Sequence, residues 1–238
     1  MQKKLETSCN LNIPLRLLSH SIYTCEHSPL LSHNKFKDQK NISDFHDLIG
    51  IGASTGGTQA LHTILEALPK NMPPIFIVQH IPANFSKALS ESLNKNCELE
   101  VCEAEDKMIA KSGFVYLAPG NKHMEIVLQQ NHFVIHLSET EKVGGHRPSV
   151  DVLFESLSKL NSKKTVGILL TGMGSDGALG LKKMKDCGAK TLAQNEESSV
   201  VFGMPKKAIE LGAADEIKPL SEIAPWLVSV VTLENFDK

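Results

Sequence analysis

Ser54 is the residue whose surroundings point most directly to chemistry. It stands in Gly52-Ala53-Ser54-Thr55-Gly56, a G-x-S-x-G run between an apolar stretch, Asp47 to Gly52, and a helical stripe of Leu61, Ile64, Leu65 and Leu68. Glycine on both sides lets the backbone make a sharp strand-to-helix turn that presents the hydroxyl clear of the main chain. Two other residues complement it. His80 follows the apolar run Pro74 to Val78, in Gln79-His80-Ile81-Pro82, and Asp176 follows Val166 to Leu170, in Thr171-Gly172-Met173-Gly174-Ser175-Asp176-Gly177. A serine hydroxyl is a poor nucleophile until an imidazole takes its proton, and the imidazole needs a carboxylate to fix its tautomer and stabilise its charged form. Ser54, His80 and Asp176 are therefore candidates for a Ser-His-Asp triad. The backbone amides of Thr55 and Met173 are candidate oxyanion donors, and losing one such donor typically costs ~10²-fold or more in turnover.

Each residue also has a plainer reading. Ser54 and Asp176 each precede a helical stripe and could serve as caps, and His80 could be a satisfied histidine at a strand end. Taken singly, His80 and Asp176 favour those readings. Taken together, three complementary groups that follow strands on one sheet edge favour hydrolysis. Nucleotide binding competes through Gly50-Ile51-Gly52-Ala53-Ser54-Thr55-Gly56, but its third glycine comes one residue late and Gln79-His80 stand where an acidic ribose ligand belongs. A phosphate-cradling loop would need lysine where Thr58 and Gln59 follow Gly57. The order serine, histidine, aspartate also differs from that of α/β-hydrolases, where the acid precedes the histidine.

Strand, turn and helix patterns alternate from Asp47 onward, which predicts a three-layer α/β domain with a mostly parallel, doubly wound sheet and helices on both faces. In such a sheet the carboxyl ends of the strands share one edge, so residues distant in sequence meet there. The runs Phe114 to Ala118, Glu125 to Leu128 and His132 to Leu137, separated by Pro119-Gly120-Asn121 and Gln129-Gln130-Asn131, predict an antiparallel hairpin set into that pattern. His123 falls in its expected turn and is not counted as catalytic. Phe85, Leu89 and Leu93 form one helical stripe, Val152, Leu153, Leu157 and Leu160 another, and Ser149 is a plausible cap for the second. A final helix is expected over 221–231.

The chain has 238 residues, 41% hydrophobic content and a net charge of -2, enough for one large core and without the basic cluster that phosphate binding requires. Nucleic acid is not an expected partner. Cys97 and Cys102, an odd number of positions apart on an expected strand, should face opposite ways, so neither a disulfide framework nor a zinc site is expected. Polar residues interrupt any apolar core after Lys3 and Lys4, and no stretch has membrane-spanning length, which makes a reducing cytoplasm the default location. Residues 1–46 lack sustained periodicity and are read as an N-terminal extension; the spacings of Cys9, His20, Cys25, His27 and His33 match no common zinc pattern.

From about Asp47 to the C-terminus, the chain resembles the catalytic domain of the chemotaxis protein-glutamate methylesterases, CheB. The resemblance rests on 51–57 (IGASTGG), 79–82 (QHIP), 116–120 (YLAPG), 147–151 (RPSVD), 170–178 (LTGMGSDGA) and 199–205 (SVVFGMP). It implies that Ser54, His80 and Asp176 are the family's catalytic residues, and that Met173 gives its amide to the oxyanion hole. It also implies a substrate: glutamate methyl esters, and in some members glutamines, on the cytoplasmic helices of methyl-accepting chemoreceptors, cleaved without metal or organic cofactor. The resemblance covers 47–238 as the catalytic domain. Most members carry an N-terminal receiver domain, for which the 46 preceding residues are too few. A constitutively open site or control by a separate regulatory protein is then expected, with no membrane insertion. A substrate on a helical bundle also implies a shallow, exposed cleft, and a histidine base implies activity rising through the neutral range. Arg147 has two readings, steering of acidic receptor surface or a structural role, and Glu196 and Glu197 are expected only to border the cleft.

Overall fold

The computed structural model describes residues 48–160 and 162–233. In chain order they form β1 (Leu48–Ala53), α1 (Gly57–Glu66), β2 (Ile75–Gln79), α2 (Ser86–Asn94), β3 (Glu100–Glu103), β4 (Phe114–Leu117), β5 (His123–Gln129), β6 (His132–Ser138), α3 (Val150–Ser158), β7 (Thr165–Leu169), α4 (Ala178–Asp186), β8 (Lys190–Gln194), α5 (Met204–Glu210), β9 (Glu216–Lys218) and α6 (Leu220–Leu233). Seven strands make one parallel sheet in the order β3-β4-β2-β1-β7-β8-β9. The chain winds outward from β1 in one direction and returns to its other side with β7, so a switch in winding lies at the centre, the place where ligands bind in such sheets.

β1 shows why the layers form. Alternate residues of a strand face opposite ways, and Ile49, Ile51 and Ala53 join a buried cluster with Leu61, Ile64 and Leu65 of α1, Leu89 and Leu93 of α2, and Ile223 and Leu227 of α6. On the other face Leu48 packs in a second cluster with Val150, Leu153, Phe154 and Leu157 of α3, Leu181 of α4 and Met204 of α5. Each such large apolar side chain contributes about 1.5–3 kcal/mol on full burial.

Gly50 and Gly52 occupy the positions of β1 that face α3. A Cβ on Gly50 would lie 2.5 Å from Leu157 Cδ1, and one on Gly52 would lie 2.2 Å from Val150 Cγ1. Gly52, the first glycine of the serine motif, thus serves close helix packing, whereas Gly56 takes the left-handed turn at φ 80°. Gly52→Ala is expected to destabilise the protein by about 2 kcal/mol through overpacking. Urea denaturation would check this, and a loss below ~0.5 kcal/mol would contradict it.

The expected three-layer α/β architecture is present, with four corrections of detail. The run beginning at Phe114 forms β4 inside the parallel sheet, while β5 and β6 form a separate two-stranded antiparallel sheet against α3 rather than an insertion in the main one. His123 is the first residue of β5, buried, and not part of a turn. Cys97 lies ahead of β3 with its thiol directed to the Leu93 carbonyl, although it and Cys102 do pack on opposite faces. Phe85 flanks α2 and is 58% exposed, so the apolar stripe of that helix begins at Leu89. The extension over 1–46 and its cysteines and histidines lie outside the described residues. No helix among the described residues is long and apolar enough to cross a membrane.

Candidate active site

Ser54, His80 and Asp176 leave the sheet at its centre. Ser54 follows β1, His80 follows β2, and Asp176 lies in the loop between β7 and α4. Because β2 and β7 are the two neighbours of β1, the parallel register carries all three residues to the same edge. Backbone hydrogen bonds continue beyond the strands: Ser54 N donates to Thr171 O at 3.0 Å, and His80 N to Ala53 O at 3.1 Å.

The side chains form one hydrogen-bonded line. Ser54 Oγ lies 3.2 Å from His80 Nδ1, and His80 Nε2 lies 2.7 Å from Asp176 Oδ2. The carboxylate fixes the tautomer, because Nε2–H donates to Asp176 and leaves the Nδ1 lone pair facing the serine. The two ring nitrogens therefore exchange the roles they have in the chymotrypsin-type triad, where Nε2 faces the serine.

Asp176 is buried and accepts four hydrogen bonds. His80 Nε2 and Val150 N, each at 2.7 Å, share Oδ2, while Ser149 Oγ at 2.7 Å and Asp151 N at 3.1 Å share Oδ1. Burial alone would raise this carboxyl, but the donors from His80, Ser149, Val150 and Asp151 outweigh it and hold the group below its ordinary value. Two of these donors are the first amides of α3. Asp176 thus caps α3 rather than its own helix, and the hydroxyl of Ser149, the expected cap of α3, turns to Asp176 instead. Asp151 reciprocates by accepting from Gly180 N of α4 at 2.6 Å. Burial raises the Asp151 carboxyl; the Gly180 amide opposes the rise and the neighbouring Asp176 charge adds to it.

Three residues of this setting carry no role in the sequence reading, which places His123 in a turn and names Gln79 only as part of a motif. His146 stacks on the His80 imidazole, with ring centroids 3.9 Å apart and planes 4° from parallel. Burial first, and then charge on His80, push the His146 ring below its usual value, with Asp176 opposing. His123 accepts from Ser149 N at Nδ1, and its Nε2 lies 3.0 Å from Glu141 O, so it props the residue that holds Asp176. Gln79 reaches the Ser54 and His80 carbonyls. Only the Gln79-His80 dipeptide carried a local signal; the other contacts come from segments far apart in sequence.

The candidate oxyanion donors also lie beside Ser54. A Cβ on Gly172 would come within 2.7 Å of Ser54 Cβ, so the chain leading into Met173 runs against the serine. Among the described residues neither Thr55 N nor Met173 N has a hydrogen-bond acceptor, and both residues are exposed. Thr171 ties this region together, its hydroxyl facing Thr55 O at 2.9 Å and accepting from Val201 N at 3.0 Å. Arg147 takes the structural reading: its guanidinium donates to Asn121 Oδ1 and to the Glu139 and Thr140 carbonyls. Glu196 and Glu197 follow β8 on the same edge and are exposed. No group of three or more metal-ligating side chains occurs among the described residues.

Comparison with known proteins places the chain in a family. The family model described as CheB methylesterase matches residues 49–227. A protein-glutamate methylesterase/protein-glutamine glutaminase of Yersinia pestis is 40% identical over 229 residues, covering 96% of this chain and 62% of that protein. A relative of the same name in Chromobacterium violaceum is 50% identical over 177 residues, covering 74% of this chain and 50% of its own length. The chain thus spans about 62% of the Yersinia relative's length and 50% of the Chromobacterium relative's. Among solved structures, the CheB methylesterase catalytic domain of Thermotoga maritima superposes with a TM-score of 0.76 at 41% identity, covering 77% of this chain and 97% of that one. The chain belongs to the CheB methylesterase family.

Proposed function

We propose that this chain hydrolyses glutamate methyl esters on the cytoplasmic helices of chemoreceptors, with Ser54 as nucleophile, His80 as general base and acid, and Asp176 as the carboxylate that orients the imidazole. The observation that carries this reading is the continuous line from Ser54 Oγ through both His80 nitrogens to Asp176, in a chain of this family. Residues 47–238 are the catalytic unit on this reading and 1–46 an appendage to it. Its place of action on this reading is the cytoplasm, where the receptor helices lie.

His80 Nδ1 takes the hydroxyl proton as Ser54 Oγ attacks the ester carbonyl, and the amides of Thr55 and Met173 receive the developing oxyanion. The same nitrogen returns the proton to the methoxy oxygen, so that methanol leaves and the glutamyl group remains esterified to Ser54. Water then attacks this acyl-enzyme, with Nδ1 again accepting the proton, and releases the carboxylate and free Ser54. A glutamine side chain can follow the same course with ammonia as the leaving group, and the glutaminase activity in the relatives' names favours this second reading. Incubation with methylated receptor fragments, with methanol measured, tests the proposal; no release above the uncatalysed rate would end it.

The stacked ring gives a smaller effect. An aromatic pair contributes about 0.5–1.5 kcal/mol, so His146→Ala is expected to lower kcat/KM by about 2- to 10-fold, while His146→Phe keeps a ring over His80 and stays closer to wild type. Steady-state kinetics of both variants checks this, and an alanine variant indistinguishable from wild type would remove the role.

A further inference from the structure

The geometry points to Gln79 as a positioning residue that aims the Thr55 N–H at the oxyanion, an inference that rests on the hydrolase reading above. Gln79 ends β2 and is 4% exposed. Its Nε2 donates to Ser54 O at 2.9 Å and to His80 O at 3.1 Å, which ties the main chain of the nucleophile to that of the base. The Ser54 carbonyl belongs to the same planar peptide as the Thr55 N–H, and in a trans peptide the two point in opposite directions. Ser54 O also accepts from Gly57 N at 2.8 Å. With two donors holding the carbonyl inward, the N–H on the other side of the plane is fixed outward, where Thr55 N has no acceptor among the described residues.

Two features of the surroundings show what this arrangement sacrifices. Gln79 Oε1 is buried and has no hydrogen-bond partner, the only such side-chain atom among the described residues. Buried polar atoms are rarely left so without a reason. The nitrogen end of the carboxamide must face two carbonyls, which leaves the oxygen beside Gly57. A Cβ on Gly57 would sit 2.2 Å from that oxygen, so the first residue of α1 is limited to glycine by the same side chain. An apolar side chain of similar size would avoid the orphaned oxygen but would hold neither carbonyl.

Gln79→Met keeps the length of the side chain and removes both donors. Methanol release from methylated receptor fragments should show kcat lowered by about 10- to 100-fold with KM within about twofold, since misplacing a group by ~1 Å can cost 10²-fold. Affinity for a boronic acid analogue of the glutamate side chain, which forms a tetrahedral adduct on serine, should fall by a similar factor, because that adduct carries the charge the Thr55 amide would meet. A kcat within twofold of wild type, or a rise confined to KM, would overturn the inference. A second measurement needs only the wild-type protein. By NMR the Gln79 side-chain amide protons should exchange with solvent far more slowly than those of exposed Gln59 and Gln130, and equal rates would overturn the clamp even if the variant fails to fold. Absence of Ser54-dependent methanol release from wild type would instead count against the hydrolase reading, leaving the exchange result to judge the clamp.

Discussion

Ser54→Ala should reduce methanol release by at least ~10⁵-fold while leaving the fold intact. Removal of the serine from a triad of this type costs about 2 × 10⁶ in kcat in the best-studied protease case, and what remains comes from oxyanion stabilisation and binding. Little should happen to stability, because the side chain of Ser54 is only half-buried and its hydroxyl has one partner, His80 Nδ1 at 3.2 Å. A change within about 0.5 kcal/mol is expected, because only the long, solvent-facing end of the hydrogen-bonded line is removed. Binding of methylated receptor fragments should likewise persist, since the hydroxyl acts on the reacting carbon and not on the helix around it. Turnover by the variant above ~1% of wild type would mean that another group attacks the ester. Tight nucleotide binding by a catalytically silent wild type would favour a docking or nucleotide module instead.

Asp176→Asn is the second large effect, and it should damage turnover and stability together. In the chymotrypsin-type triad the equivalent exchange costs about 10⁴ in kcat, and a loss of that order is expected here. The stability effect comes from the four donors around the carboxylate. An amide has one acceptor oxygen, so its NH2 must face one of the two pairs of donors. Facing Ser149 and Asp151 is the milder choice, because the Ser149 hydroxyl can rotate to accept, but Asp151 N–H is then left without an acceptor. An unsatisfied buried group of this kind costs about 1–3 kcal/mol.

The pH dependence of this loss has a defined sign. Asp176 is held below the ordinary carboxylate value in the folded protein, so its contribution is fully present above about pH 4, where the unfolded chain is ionised, and fades as pH falls through the lower folded value. Urea denaturation of both proteins should therefore give a constant gap near neutrality that narrows in acid. A gap that widens in acid would assign the stability of this region to another group.

Much of this arrangement was legible in the sequence because it is carried by local pattern. Alternation of apolar runs with helical stripes gave the strands and helices, and the rule that parallel strands end on one edge was enough to associate Ser54, His80 and Asp176. What escaped depends on contacts between distant segments. Pattern alone marks Phe114 to Leu117 as a strand but does not say which sheet it joins, and the pairing of Ile75, Phe76 and Ile77 with Val115, Tyr116 and Leu117 settles that. Ser149 stands before a helix and reads as a cap; only the approach of Asp176, 27 residues later, redirects its hydroxyl. Gly52 reads as a turn residue beside Ser54 until Val150 is found against it. His146 has no periodic signal, since its ring reaches His80 from the turn between Val143 and His146.

The division of labour along the sheet edge separates rigid from replaceable parts. Ser54, His80 and Asp176 are held by the middle of a seven-stranded sheet and by the paired ends of α3 and α4, whereas Val143, Met173 and Val200 stand exposed on the surrounding loops. On the hydrolase reading, target choice and bond cleavage are therefore separately alterable: substitutions at those exposed positions change which ester is presented without touching the side chains that cleave it.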